Sequence, residues 1–141
     1  MKISIGELSR RTDVKVATIR YYESIALMSA PPRSEGKQRR YSEPDVSRLI
    51  FIRHARELGF EVDAIRTLLA LQDNPNQPCT TADRIARARL AEVERRIRSL
   101  TALKAELESM IVGCRLGSVA TCHVIEVLAD HGQCPKQIPF G

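Results

Sequence analysis

Ser4-Ile5-Gly6-Glu7-Leu8, followed past Thr12-Asp13 by Val14-Lys15-Val16-Ala17-Thr18-Ile19-Arg20-Tyr21-Tyr22-Glu23, is the stretch that decides the fold. Ser4 and Glu7 stand at capping-box spacing, so a short helix is expected to start there with Ile5 and Leu8 on its apolar side. The second segment places Val16 and Ile19 inward and leaves Ala17, Thr18, Arg20 and one of the two tyrosines outside. Two short helices with a tight break between them read as helix-turn-helix.

Outward from that pair, Pro31-Pro32 stops helix, and Arg33-Ser34-Glu35-Gly36-Lys37-Gln38-Arg39-Arg40-Tyr41 reads as a Gly-centred turn flanked by basic residues, a β-hairpin wing. Ser42-Glu43-Pro44-Asp45 opens another helix, with Pro44 in the first turn and Asp45 at the capping-box position. Leu49, Ile50, Phe51 and Ile52 form its core face and Gly59 ends it. A further helix from about Val62 carries Ile65, Leu68, Leu69 and Leu71. The proline-broken run Gln72-Asp73-Asn74-Pro75-Asn76-Gln77-Pro78 reads as a hinge.

The charge is divided unevenly. Residues 1–60 hold 12 Lys/Arg against 7 Asp/Glu, net +5, whereas residues 61–141 hold 10 of each. A basic module joined to a neutral one suits a polyanion reader carried on an assembly or sensing module. Phosphate contacts are expected from Arg20, Arg33, Lys37, Arg39, Arg40, Arg53 and Arg56, with hydroxyls from Tyr22 and Tyr41 and base-edge contacts from Ala17 and Thr18. His54, beside Arg53 and Arg56, reads as structural. No apolar run reaches the roughly 20 residues of a membrane span and no signal peptide opens the chain, so cytoplasmic residence is expected.

Beyond the hinge, Leu90, Val93, Ile97, Leu100, Leu107 and Ile111 alternate at spacings of three and four, with Lys104 at one seam position. This is the pattern of a coiled coil, and Gly113 is placed to end the helix. Cys79 lies at the mouth of that helix, while Cys114 and Cys122 bracket a loop past its far end; His123 to Ala129 reads as a short helix. Along one chain the helix holds the thiols more than about 40 Å apart. An antiparallel partner brings them together, so each of two sites takes Cys79 from one protomer and Cys114 and Cys122 from the other. Pro78-Cys79-Thr80 sets the first thiol beside a helix N-terminus, where free N–H groups and the dipole favour negative charge. Three thiolates hold lead or mercury in a trigonal site; with a fourth donor, for which His123, His131 and Cys134 are the candidates, they hold zinc or cadmium tetrahedrally.

Over essentially its whole length the sequence resembles the MerR family of bacterial transcription regulators. The resemblance rests on Ile5-Gly6-Glu7-Leu8, Thr18-Ile19-Arg20-Tyr21-Tyr22-Glu23, Arg33-Ser34-Glu35-Gly36, Arg39-Arg40-Tyr41 and Leu58-Gly59-Phe60, followed by the long helix. It implies a mainly α fold: a winged helix-turn-helix domain with hinge over 1–75, an antiparallel coiled-coil dimerisation helix over 76–112, and a metal-binding loop, short helix and tail over 113–141. It further implies a homodimer on double-stranded promoter DNA that, on binding a divalent metal inducer, distorts the spacer and so acts on RNA polymerase through DNA. Cys79, Cys114 and Cys122 fall where the metal-responsive branch has its ligands. Members answering to copper(I) resemble the chain in the two loop cysteines but carry serine in place of Cys79.

Two other readings compete. A copper(I) or thiol redox sensor on the same scaffold needs fewer of the thiols. Catalysis by Cys114 or Cys122 with His123 lacks an oxyanion loop or substrate pocket, and no enzyme is expected.

Overall fold

The computed structural model describes residues 2–31, 40–112 and 122–130. They form the helices α1 (Ile5–Thr12), α2 (Val16–Ser24), α3 (Glu43–Glu57), α4 (Val62–Gln72), α5 (Thr80–Val112) and α6 (His123–Ala129). The chain divides into two compact units, Met1–Ala86 and Arg87–Gly141.

In the first unit, local chemistry sets most helix ends. The Ser4 hydroxyl accepts from the Glu7 N–H at 3.2 Å, which starts α1. Glu7 does not close the box; its carboxylate accepts from Arg10 one turn on. Asp13, in the left-handed region at φ 57°, turns the chain from α1 into α2. At α3, Asp45 Oδ2 accepts from the Ser42 N–H at 2.8 Å and from its hydroxyl at 3.0 Å. The far end of α3 closes as a Schellman motif. Gly59 takes φ 85°, its N–H reaches the Arg56 carbonyl at 2.9 Å, and the Phe60 N–H reaches Ala55 at 3.0 Å. A Cβ at Gly59 would strain this conformation.

Leu8, Ile19, Leu49, Ile52, Ile65 and Leu69, drawn from all four helices of the unit, are completely or almost completely buried in one cluster. Ile50 and Phe51 pack on it partly buried. Val14, in the turn, takes the buried place expected of Val16, which is half-buried. The reason is the turn itself: α2 begins only at Val16, and Val14, in the turn before it, joins the core cluster. The wing expected over Arg33 to Tyr41 falls mainly on residues 32–39, outside the described residues. At its end Tyr41 and Ile3 exchange two backbone hydrogen bonds of 2.8 Å, an isolated antiparallel bridge.

After α4 the polar run makes turns, Asn74 N–H to Leu71 O at 3.0 Å and Gln77 N–H to Asn74 O at 3.1 Å. α5 then runs unbroken for 33 residues. In the second unit Met110 and Val127 are the buried apolar side chains among the described residues. Leu90, Ile97, Leu100, Leu107 and Ile111 are exposed along α5. Gly113 lies outside the described residues, and α5 is described to Val112. No helix among the described residues is long and apolar enough to cross a membrane.

Candidate nucleic-acid interface and metal centre

On α2 the residues 17, 20, 21 and 24 follow one another at spacings of three, one and three, which is one face of a helix. Ala17, Arg20, Tyr21 and Ser24 are all exposed, and Thr18 lies half-buried at the flank of that face. Ile19 and Tyr22, three apart, share the opposite face and are buried. Tyr22, expected to offer its hydroxyl to phosphate, is therefore a core residue. Tyr21 is the outward one, 55 % exposed, its ring tilted by 50° against that of Tyr22 at 6.0 Å. The sequence carried the signal: the spacing from Ile19 assigns Tyr22 to the inner face.

Tyr41 is corrected in the same way. It is fully buried and its hydroxyl donates to Glu23 Oε2 at 2.6 Å. A buried phenol needs a partner, and the carboxylate at the end of α2 supplies one. Tyr41 thus fastens α2 to the core instead of facing solvent.

The cations of this unit fall into two classes. Some are committed within the protein. Arg11 forks onto Glu43 at 2.8 and 3.1 Å, joining α1 to the first turn of α3. That bond raises the Arg11 pKa and lowers that of Glu43, with their direct charge attraction acting in the same sense. Arg48 Nε donates to Leu27 O at 2.9 Å, Arg66 donates to Ile25 O at 2.9 Å and Ala26 O at 3.3 Å, and Arg56 donates to Phe60 O at 2.9 Å. Arg53 lies between Asp13 at 4.0 Å and Glu57 at 3.5 Å, although its buried Nε lacks hydrogen-bond geometry to either. The others are uncommitted: among the described residues Lys2, Lys15, Arg20, Arg40 and Arg84 are exposed with no hydrogen bond or ion pair. Lys15, the residue before α2, was not singled out by the sequence reading. Arg20 on the outer face of α2 and Lys15 just before the helix are exposed, unpaired cations of the kind a phosphate backbone attracts. Of the expected phosphate contacts, Arg33, Lys37 and Arg39 lie outside the described residues. Arg53 and Arg56 are present but partly occupied. His54 is exposed.

Both described cysteines open helices. The Cys79 carbonyl accepts from the Asp83 N–H at 2.9 Å, the first bond of α5, and the Cys79 side chain is exposed. Cys122 is the N-cap of α6, its carbonyl accepting from Glu126 at 3.0 Å, and it is half-buried beside half-buried His123. Cys114, His131 and Cys134 lie outside the described residues. Among the described residues no three His, Cys, Asp or Glu side chains are grouped to hold a metal.

Two family models match the chain: MerR HTH family regulatory protein over residues 3–72, and MerR, DNA binding, over residues 46–110. The HTH-type transcriptional regulator ZntR of Escherichia coli (strain K12) is 40% identical over 127 residues, covering 88% of this chain and 90% of that protein. The mercuric resistance operon regulatory protein of Pseudomonas fluorescens is 34% identical over 128 residues, covering 89% and 87%. Among solved structures, the transcription regulator PbrR691 from Ralstonia metallidurans CH34, in complex with lead(II), superposes with a TM-score of 0.77 at 36% identity, covering 89% of this chain and 98% of that one.

Proposed function

The chain belongs to the MerR family of helix-turn-helix transcriptional regulators, and from that premise we propose that it is a homodimeric sensor of a divalent thiophilic metal ion acting on promoter DNA. The observation that carries this reading is the pairing, on one helix, of an exposed apolar stripe with an exposed thiol at its first turn. Leu90, Ile97, Leu100, Leu107 and Ile111 are apolar side chains that the chain itself leaves in water. A second copy running antiparallel covers them, and the same act carries Cys79 of one protomer to Cys114 and Cys122 of the other. Lead and mercury, the metals in the descriptions of two relatives, suit three thiolates. Zinc or cadmium takes a fourth donor from His123, His131 or Cys134.

In this reading α2 presents Ala17, Arg20 and Tyr21 to DNA, flanked by Thr18, Lys15 and Arg40, with Arg53 and Arg56 adding charge. Arg33, Lys37 and Arg39 extend the phosphate track from the wing. Metal draws ligands from two chains to one centre, and the binding free energy is converted into a rearrangement that distorts the promoter spacer rather than releasing it. RNA polymerase then responds through the DNA. The presence of Cys79 favours divalent ions over copper(I), for which two thiolates suffice.

Substitution Cys79→Ser tests the site. Dimerisation, by sedimentation, and operator binding are expected to survive, while thiolate-to-metal absorbance with zinc, cadmium, lead and mercury drops and metal-dependent transcription is abolished. Full activation of the variant by a divalent ion would overturn the three-thiolate centre; saturation of the unaltered protein by copper(I) alone would favour the two-thiolate alternative.

A further inference from the structure

The chain just after the reading helix is held by two arginines that the proposed function does not use. α2 ends at Ser24, and the carbonyls of the next three residues are all taken by guanidinium groups from other helices. Arg66 of α4 donates to Ile25 O and Ala26 O, and Arg48 of α3 donates to Leu27 O. The segment needs such support. Ala26 sits in the left-handed region at φ 60°, a conformation unfavourable for any residue with a Cβ, and the carbonyls at a helix C-terminus carry partial negative charge that cations offset. Leu27 and Met28, buried at 0 % and 2 % exposure, pin the same segment from below. The orientation of α2 is thereby set by α3 and α4 together.

Among the described residues, only Arg48 of this pair has a further connection. Its Nη1 lies 4.0 Å from Asp73 Oδ2, and Asp73 is the residue that caps α4 and begins the turns leading towards α5. The guanidinium is rigid and planar, so one group that donates to the Leu27 carbonyl through Nε and lies at ion-pair distance from Asp73 through Nη1 links the positions of the two partners. We propose that Arg48 is a positioning residue that couples the direction in which the chain leaves the reader, at Asp73, to the orientation of the reading helix, at Leu27. In a dimer this coupling sets the separation of two reading helices and hence the half-site spacing the protein prefers. The inference rests on the reading of α2 as the DNA-contacting helix and needs no metal.

The test uses the full chain without metal. Duplexes are selected from a random pool by the wild-type protein, and the best one is remade with one base pair inserted or deleted between its half-sites. Wild type should discriminate against both altered spacings. Asp73→Asn should retain affinity for the best duplex within about twofold and lose roughly threefold of the discrimination, the scale of a part-exposed ion pair. Asp73→Glu, which keeps the charge, should restore it. Arg48→Lys, which keeps the charge but replaces the rigid planar fork by a compact ammonium on a flexible stem, should lose at least as much, and the double variant Arg48→Lys/Asp73→Asn no more than Arg48→Lys alone. Unchanged discrimination by Asp73→Asn, or equal losses by the Asn and Glu variants, would overturn the proposal while leaving the DNA reading intact. A wild-type chain that selects no duplex would overturn both.

Discussion

The two units of this chain treat their apolar residues in opposite ways. In Met1–Ala86, Leu8, Ile19, Leu27, Tyr41, Leu49, Ile52 and Ile65 are removed from water by the chain itself, four short helices closing on one cluster. In Arg87–Gly141 a stripe as regular as any in the first unit remains about half exposed, from Leu107 at 48 % to Ile111 at 65 %. A helix of three turns can be closed over by its neighbours; one of 33 residues outruns what a unit of this size folds back upon it. The first unit thus closes its own core, while the exposed stripe of the second is the surface that the proposed dimer covers.

That contrast is open to direct attack. Leu49→Ala empties a fully buried position and should cost the first unit about 3 kcal/mol in urea unfolding. Leu100→Ala, 54 % exposed in the single chain, should leave that unfolding within about 0.5 kcal/mol of wild type. Its effect belongs to self-association, weakened by about 1–2 kcal/mol per protomer in sedimentation equilibrium. Equal destabilisation of the first unit by the two substitutions would show that the α5 stripe is part of that unit's own core. On the charged surface, Arg20→Ala should lower operator affinity and reduce the slope of log K against log salt by about 1.8, two phosphates' share, one for each protomer of the proposed dimer. Arg11→Ala serves as the contrast, because its charge is already committed to Glu43, and its slope should match wild type.

The smallest effect concerns that same pair. The hydrogen bond from Arg11 holds the Glu43 carboxyl below its ordinary pKa. A group whose pKa is lowered on folding contributes stability above its unfolded value and loses it as pH falls through the folded one. The thermal midpoint of wild type should therefore exceed that of Glu43→Gln slightly at neutral pH and converge on it in acid. A gap that stays constant through the acid range would assign the effect to packing rather than to the charge.

Ser4, Ser42 with Asp45, and Gly59 announced helix ends from sequence alone, because caps and Schellman turns are made by residues within about six positions of each other. The heptads of α5, the thiols at its mouth and past its end, and the confinement of positive charge to residues 1–60 were legible for the same reason: they are patterns along the chain. The rest depended on tertiary structure. Tyr41 read as a surface hydroxyl until its bond to Glu23 was known, and Val14 replaced Val16 in the core because the turn at Asp13 redirects it. Nothing local distinguishes Arg11, Arg48 or Arg66, each bonded across more than 20 residues, from Lys15, Arg20 and Arg40, which bond to nothing described. Helix periodicity and capping are short-range consequences of backbone geometry, so they are written along the chain. The allocation of each charge and hydroxyl, to the core or to a partner outside, was decided only when folding brought distant residues within hydrogen-bonding distance.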